Sequence, residues 1–151
     1  MCLNKNSDLA EDGYDDFSCG LEYLMINGDQ ITQALAVHAA WKSRLRRIIE
    51  CGSSELSREQ VQADNRCDFG KWLYSLSEAE KQRDIWATVR SAHAEFHKEA
   101  ALILDLALKG SRTEALAALA PNSRYGQTSG NLVILLTQWV GPSLETDDKA
   151  R

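Results

Sequence analysis

Apolar residues recur every three or four positions along residues 29–50, and this spacing predicts a long amphipathic helix. The polar side of the helix carries several cations, mostly in its second half, where they suit the helix dipole. Gly52 follows the last apolar residue and predicts the end of the helix. The apolar stripe includes a histidine, and its members are Ile31, Leu35, His38, Trp41, Leu45, Ile48 and Ile49.

A second apolar pattern follows the polar segment 53–66, which predicts a loop containing one short helical turn. Asp64 and Asn65 have side chains suited to an N-cap, so we expect a helix to begin there. Cys67 then lies in the first turn of that helix. The helical spacing continues through Phe69, Trp72, Leu73 and Leu76.

Ser77 and Glu80 have the spacing of a capping box and predict the start of the longest helix, which runs to about Lys109. Gly110 predicts the end of this helix. Its buried face contains two histidines, and its members are Trp86, Val89, His93, Phe96, His97, Ala100, Leu104 and Leu108.

Two further helices complete the pattern. Ser111 caps a short helix that ends at Pro121, and residues 129–140 form the last helix before a Gly-Pro pair. Residues 132–136 are apolar on every side, which is typical of a helix buried in a bundle or in a dimer. No stretch alternates with the period of two that a strand requires. We therefore predict an all-α fold, an antiparallel four-helix bundle with additional short helices.

The composition fits one helical domain with short flanking segments. The chain has 151 residues, of which 44% are hydrophobic and 26% charged, enough for one sizeable core. We expect an N-terminal extension at residues 1–28, a helical domain at 29–141 and a polar tail at 142–151. The formal net charge of −5 argues against binding to a nucleic-acid backbone.

The sequence also predicts where the protein works. Its N-terminus lacks a basic flank followed by an apolar run, and no stretch reaches the roughly 18 to 20 uncharged apolar residues of a membrane span. We therefore expect no membrane association and a cytoplasmic location. The four cysteines, Cys2, Cys19, Cys51 and Cys67, are widely scattered, so we expect reduced thiols.

Nitrogen and sulfur donors concentrate on the predicted buried faces. His93 and His97 are four residues apart, so both rings lie on one side of a helix and can reach one ion. His38 can face them from a separate helix across an antiparallel bundle. Cys67 lies near a helix N-terminus, where the dipole favours its thiolate. Three imidazoles and one thiolate make a complete tetrahedral shell for Zn²⁺.

Each donor also has an ordinary structural interpretation. Buried histidines are often hydrogen-bonded to backbone groups, and a lone cysteine is most often a small buried apolar side chain. A metal, however, satisfies the ring nitrogens of His93 and His97 at once within an otherwise apolar stripe.

The residues around the donors match the motifs of a known family. Residues 38–41, HAAW, match its HxxW motif; residues 67–72, CDFGKW, match CxφGxW, where φ is apolar; residues 93–97, HAEFH, match HxxφH. The order and approximate spacing agree over about residues 30–140. The chain thus resembles the CZB domain, the chemoreceptor zinc-binding domain of bacteria.

The resemblance implies a mostly helical bundle that commonly dimerises and binds one Zn²⁺ through His38, Cys67, His93 and His97. Such domains are usually attached to chemoreceptors or diguanylate cyclases, whose output changes with zinc or with oxidation of the zinc-bound cysteine. It therefore implies a role in chemotaxis or cyclic di-GMP control. This sequence contains neither a GGDEF motif nor a long receptor coiled coil, so we expect a stand-alone regulatory domain. For residues 1–28 we can name no counterpart in the family.

Other metal-dependent functions fit the residues poorly. A zinc hydrolase of the HExxH type needs Glu directly after its first histidine, where this chain has Ala94. Di-iron bundles need Glu-x-x-His pairs, but Leu35, Arg90 and Ala94 stand three residues before the histidines. A closed four-ligand shell leaves no position for a substrate, so we expect no enzyme. The sequence leaves open whether zinc is a sensed signal or a purely structural staple.

Overall fold

The computed structural model describes residues 28–140, with side chains described for residues 29–139. These residues form helices and no strand, which confirms the all-α class. Residues 1–27 and 141–151 lie outside the described part of the chain, so the predicted domain boundaries stay predictions. The helices are α1 (Gly28–Cys51), α2 (Arg58–Gln62), α3 (Asp68–Ser75), α4 (Glu78–Lys81), α5 (Asp84–Leu108), α6 (Arg112–Ala118) and α7 (Arg124–Val140).

Three of these helices are long and the others are short. Helices α1, α5 and α7 have 24, 25 and 17 residues, whereas α2, α3, α4 and α6 have 5, 8, 4 and 7. Helix α5 is central, since α1, α2, α6 and α7 all pack against it. The described residues contain only three long helices, so the antiparallel four-helix arrangement stays a prediction. None of these helices has both the length and the apolar character needed to cross a membrane.

The apolar run 132–136 on α7 is only partly buried. Leu132 and Leu136 are almost fully covered by the core, as their spacing of four residues predicts. Val133 and Ile134 instead point outward, with 41% and 57% of their surface exposed. The run therefore contributes one stripe to the core and leaves a second apolar surface on the outside of α7.

Two glycines end the long helices where the sequence predicts. Gly52 and Gly110 follow α1 and α5 with φ angles of 66° and 78°, a left-handed conformation that glycine adopts without steric cost. The Gly52 N–H donates to the Ile48 carbonyl at 2.8 Å, so one otherwise unpaired carbonyl is satisfied.

The predicted start of the longest helix is wrong. The Ser77 hydroxyl accepts the Glu80 N–H at 3.3 Å, but this cap opens only the four-residue helix α4. The Glu80 carboxylate accepts from Arg83 at 2.9 Å and does not return to the Ser77 N–H as a capping box requires. Helix α5 begins separately at Asp84.

Helix α7 begins at Arg124, five residues before its predicted start. The Ser123 hydroxyl accepts the Gly126 N–H at 3.2 Å and so caps the first turn. A β-carbon on Gly126 would overlap the Pro121 carbonyl, which explains the glycine inside the helix. The glycines and polar residues of the first two turns hide their helical character from the apolar pattern.

The two cysteines among the described residues differ in oxidation state. Cys67 has a free thiol, whereas Cys51 is disulfide-bonded, so the expectation of a reduced thiol is wrong for Cys51. Spacing along the chain does not reveal such a bond, because it depends on the distance between two β-carbons in the fold. Cys2 and Cys19 lie outside the described residues.

Candidate metal centre

Cys67 is the N-cap of α3 and not part of its first turn, which corrects the sequence prediction. Its backbone is extended, and its sulfur accepts the Gly70 N–H at 3.2 Å. Asp64 does not cap the helix, since its carboxylate accepts the Tyr74 hydroxyl at 2.8 Å instead. The cap geometry fixes the direction in which the Cys67 sulfur points.

Gly70 lets the chain before α3 pass close to the helix. A β-carbon at this position would overlap the backbone carbonyl of Asp64 and crowd the Cα of Asn65. The backbone carbonyl cannot move without shifting the residues that lead into Cys67. Gly70 therefore positions the sulfur in two ways. Its N–H donates to the sulfur, and its lack of a β-carbon lets the chain before Cys67 pack against the helix.

We predict that Gly70→Ala lowers the free energy of unfolding by about 1–3 kcal/mol, the usual cost of forcing a methyl group into a packed site. Gly130→Ala in α7 is the matched control, because a β-carbon added there would have no other atom within 4 Å. Replacing a glycine in an open helix position should stabilise by up to about 1 kcal/mol. Urea unfolding of both variants at one free zinc concentration measures the difference. Equal effects at both positions would contradict this role of Gly70.

His93 and His97 on α5 converge with Cys67. The Nε2 atoms of the two histidines are 3.1 Å apart, and the Cys67 sulfur is 3.4 Å from His93 Nε2. All three donor atoms lie within 4.8 Å of one another. Around a tetrahedral zinc ion, two imidazole nitrogens lie about 3.4 Å apart, and a nitrogen lies about 3.6 Å from a thiolate sulfur. The three donors are thus spaced as zinc ligands are.

Backbone carbonyls orient two of the histidine rings. His97 Nδ1 lies 2.6 Å from the Val61 carbonyl of α2, and His38 Nδ1 lies 2.7 Å from the Ala34 carbonyl of α1. A ring that donates through Nδ1 carries its lone pair on Nε2, and in His97 this is the atom that faces the cluster. Such carbonyl partners are typical of metal-binding histidines, and the sequence alone did not indicate these two carbonyls.

His38 lies beside this cluster but outside the group of three. Its ring centroid is 5.4 Å from that of His93 and 4.7 Å from that of Phe96. The side chain is 4% exposed, and its Nε2 has no hydrogen-bond partner. A buried ring nitrogen without a partner is costly, and a metal ion bound there would remove the cost. The structure thus brings three predicted donors together and places the fourth at their edge with a free lone pair.

Burial keeps the histidines neutral. Desolvation, together with the neighbouring His97 and His38, lowers the pKa of His93 to about 2. Desolvation also lowers the pKa of His38 and of His97, although their bonds to Ala34 and Val61 partly oppose it. The neutral imidazole is the form that binds metal, so these rings need lose no proton to do so at neutral pH.

The thiol of Cys67 behaves differently. Burial raises its pKa, and the hydrogen bond from the Gly70 N–H lowers it by less. The predicted stabilisation of the thiolate at the helix N-terminus is therefore outweighed by desolvation in the metal-free protein. A bound cation would reverse the balance, because zinc favours the thiolate.

Aromatic rings enclose the donors. The ring centroid of Phe69 lies 4.9 Å from that of His93, and the ring centroid of Trp41 lies 6.1 Å from that of His97. Phe96 is fully buried between His38 and His97. Trp72 is only partly buried and packs on the outer side of Phe69. The rings limit access of water, and a dry shell strengthens metal–ligand electrostatics.

Comparison with known families identifies the domain. The family model for the chemoreceptor zinc-binding domain, CZB, matches residues 38–104. Residues 38–104 of this chain are thus similar to the CZB family. The matched segment begins at His38 and includes every residue predicted as a zinc ligand. The search of curated proteins and that of solved structures found no match to this chain.

The match to the CZB family indicates the cofactor and the broad role. CZB domains bind zinc and act in signalling, and they are not a known catalytic family. The donor set fits this cofactor, since neutral imidazoles and a thiolate are ligands that zinc prefers. Zinc is therefore the cofactor of this signalling domain, and the described residues contain a Cys/His/His cluster suited to it.

Proposed function

We propose that this protein is a zinc-responsive regulator of bacterial signalling that binds one Zn²⁺ through His38, Cys67, His93 and His97. One observation carries the proposal. Three donor atoms converge on the α3–α5 side, while His38 on α1 has an unpartnered Nε2 and its ring centroid lies 5.4 Å from that of His93. Completing the shell therefore requires α1.

Zinc occupancy would change the packing of α1. The ligands come from α1, from the N-cap of α3 and from α5, so one ion joins three separate segments. Without the ion, His38 loses a bond to the cluster, and its helix is held only by packing against its neighbours. An ion that binds one arrangement more tightly shifts the population toward it. The signal is then the position of α1 relative to α5.

Oxidation of Cys67 is a second input to the same site. The residue is only partly buried, which supports access of a small oxidant to this side of the site. Hydrogen peroxide would oxidise the thiolate to a sulfenate with release of water, and the sulfenate is a weaker zinc ligand. Loss of the metal would then produce the same change in α1 as zinc depletion.

The partner we propose is a chemoreceptor or a diguanylate cyclase, which would place the protein in chemotaxis or in cyclic di-GMP control. The family description supports a receptor partner. We also propose a homodimer. The exposed side chains of Val133 and Ile134 on α7 support it, because a dimer interface would cover this apolar surface.

Hydrogen exchange in α1 tests the switch. We expect zinc to slow amide exchange around residues 34–41 by at least about tenfold, because the ion fixes His38 to α5. In His38→Ala the slowing of α1 should disappear while zinc still protects residues 93–97. Ser43→Ala, an exposed position on the same helix, is the control and should behave like the wild type.

The same experiment separates a sensor from a staple. If zinc is a purely structural staple, chelation unfolds the protein, and exchange becomes fast in every helix. A folded metal-free protein whose α1 exchanges at the same rate with and without zinc would contradict the proposed switch. The oligomeric state of both forms, measured by light scattering, tests the dimer.

A further inference from the structure

Charge is divided unevenly between the N-terminal segment and the rest of this chain. Residues 1–27 contain six carboxylates and one lysine, so they account for the whole formal charge of −5. Five of the six carboxylates lie within residues 8–16, the sequence DLAEDGYDD. Residues 28–151 are formally neutral, yet their positive charge is not spread evenly.

The exposed surface of α1 carries four cations within six residues. We call Lys42, Arg44, Arg46 and Arg47 the basic patch; all four side chains are exposed. None of them forms an ion pair with another described residue. Arg44 lies with its guanidinium carbon 5.2 Å from the Trp41 ring, which leaves its charge available to an anion.

Cations elsewhere in the described residues are commonly neutralised by a nearby carboxylate. Seven of them on or next to α2–α7 lie within 4 Å of an acidic oxygen: Arg58, Lys71, Lys81, Arg83, Lys98, Lys109 and Arg124. Arg66, Arg90 and Arg112 also form no ion pair with a described residue, but they stand singly, whereas the basic patch gathers four unpaired cations within six residues of one helix. Its counter-charge is therefore sought outside the described residues.

The acidic stretch is long enough and near enough to be that counter-charge. Lys42 and Arg47 lie about 21 Å and 29 Å along α1 from Gly28, at 1.5 Å per residue. The eleven residues 17–27 join the stretch to α1 and can span up to about 36–40 Å. Attachment to the same chain also gives the stretch a local concentration in the millimolar range, which an acidic segment of a separate protein rarely reaches.

We propose that residues 8–16 dock on the basic patch of α1 within the same molecule. Carboxylates of the stretch pair with the cations of the patch and shield them from other anionic partners. The polar tail is a weaker occupant, since residues 141–151 hold three carboxylates against two cations. Pairing of exposed charges is screened by salt, so the docked form opens as ionic strength rises.

Carbodiimide crosslinking of the full-length, zinc-loaded protein tests this contact, because the reagent joins a lysine amine to a carboxylate that touches it. We expect a crosslink from Lys42 to a carboxylate of residues 8–16, with a yield about threefold or more lower at 0.5 M than at 0.05 M NaCl. Asp12→Asn, Asp15→Asn and Asp16→Asn together should remove most of it. The pair formed by Asp105 of α5 and Lys109 at its C-cap, 2.7 Å apart, is the internal positive control.

Mixing ¹⁴N- and ¹⁵N-labelled protein shows which molecule supplies the carboxylate. A crosslink of a single isotope composition supports docking within one molecule. A mixed-isotope crosslink would identify a second copy as the occupant, and a crosslink from Lys42 to residues 145–148 would identify the tail. Either result, or no crosslink at Lys42 while the control pair reacts, would overturn the proposal.

Discussion

Replacing Cys67 with serine is expected to lower zinc affinity at least about a hundredfold and to leave the metal-free fold intact. Four-ligand structural zinc sites have apparent binding free energies of about 10–16 kcal/mol, so one ligand contributes about 3 kcal/mol on average. A serine hydroxyl stays protonated at neutral pH and does not replace the thiolate. It does, however, accept the Gly70 N–H as a good N-cap.

Comparing Cys67→Ser with Cys67→Ala separates the two roles of this side chain. Alanine removes both the ligand and the cap, so it should cost the metal-free protein about 1 kcal/mol more than serine does. Zinc affinity is measured by competition with a chromogenic chelator, and stability by urea unfolding. An unchanged zinc affinity in Cys67→Ser would remove Cys67 from the shell.

Zinc affinity is also expected to rise about tenfold per pH unit between about pH 6.5 and 8.5, a hundredfold over the interval. The direction of this pH dependence follows from which ligands carry a proton before zinc binds. Burial lowers the pKa of each histidine, so the rings are already neutral across this range. Burial raises the pKa of the Cys67 thiol, so one proton must leave as zinc binds. Raising the pH removes that competing proton.

Calorimetric titrations in buffers of different ionisation enthalpy count the released protons directly. We expect about one proton per zinc in the wild type and nearly none in Cys67→Ser, because that variant retains only neutral imidazoles as ligands. A release of two or more protons would show that some histidines are charged in the metal-free protein, contrary to their burial. If the zinc affinity of the wild type did not depend on pH, the released proton could not come from the Cys67 thiol.

The sequence predicted the burial of the three histidines better than it predicted the helix ends. The stripe spacing placed His38, His93 and His97 on buried faces, and all three are at most 4% exposed. This succeeded because helical periodicity depends on burial along one element. The starts of α5 and α7 depend on which partner each polar side chain selects, and Glu80 selects Arg83 over the Ser77 backbone. Such a choice is not visible in the spacing.

The groups that surround the donors could not be predicted from the sequence either, because the fold determines which of them make contact. The carbonyls of Val61 and Ala34 orient two histidines, but every residue has a carbonyl, and only the fold selects these two. The overlap that makes Gly70 necessary involves the Asp64 backbone, six residues earlier in the chain. The wrong expectation for Cys51 likewise concerned a pairing that only the fold determines.

The central claim is that one zinc ion is held by one thiolate and three imidazoles, with His38 closing the shell. Zinc K-edge X-ray absorption of the loaded protein measures this shell directly. We predict one sulfur at about 2.3 Å and three imidazole nitrogens at about 2.0–2.1 Å, with one imidazole lost in His38→Ala. A shell without sulfur, or a spectrum unchanged by His38→Ala, would contradict the account.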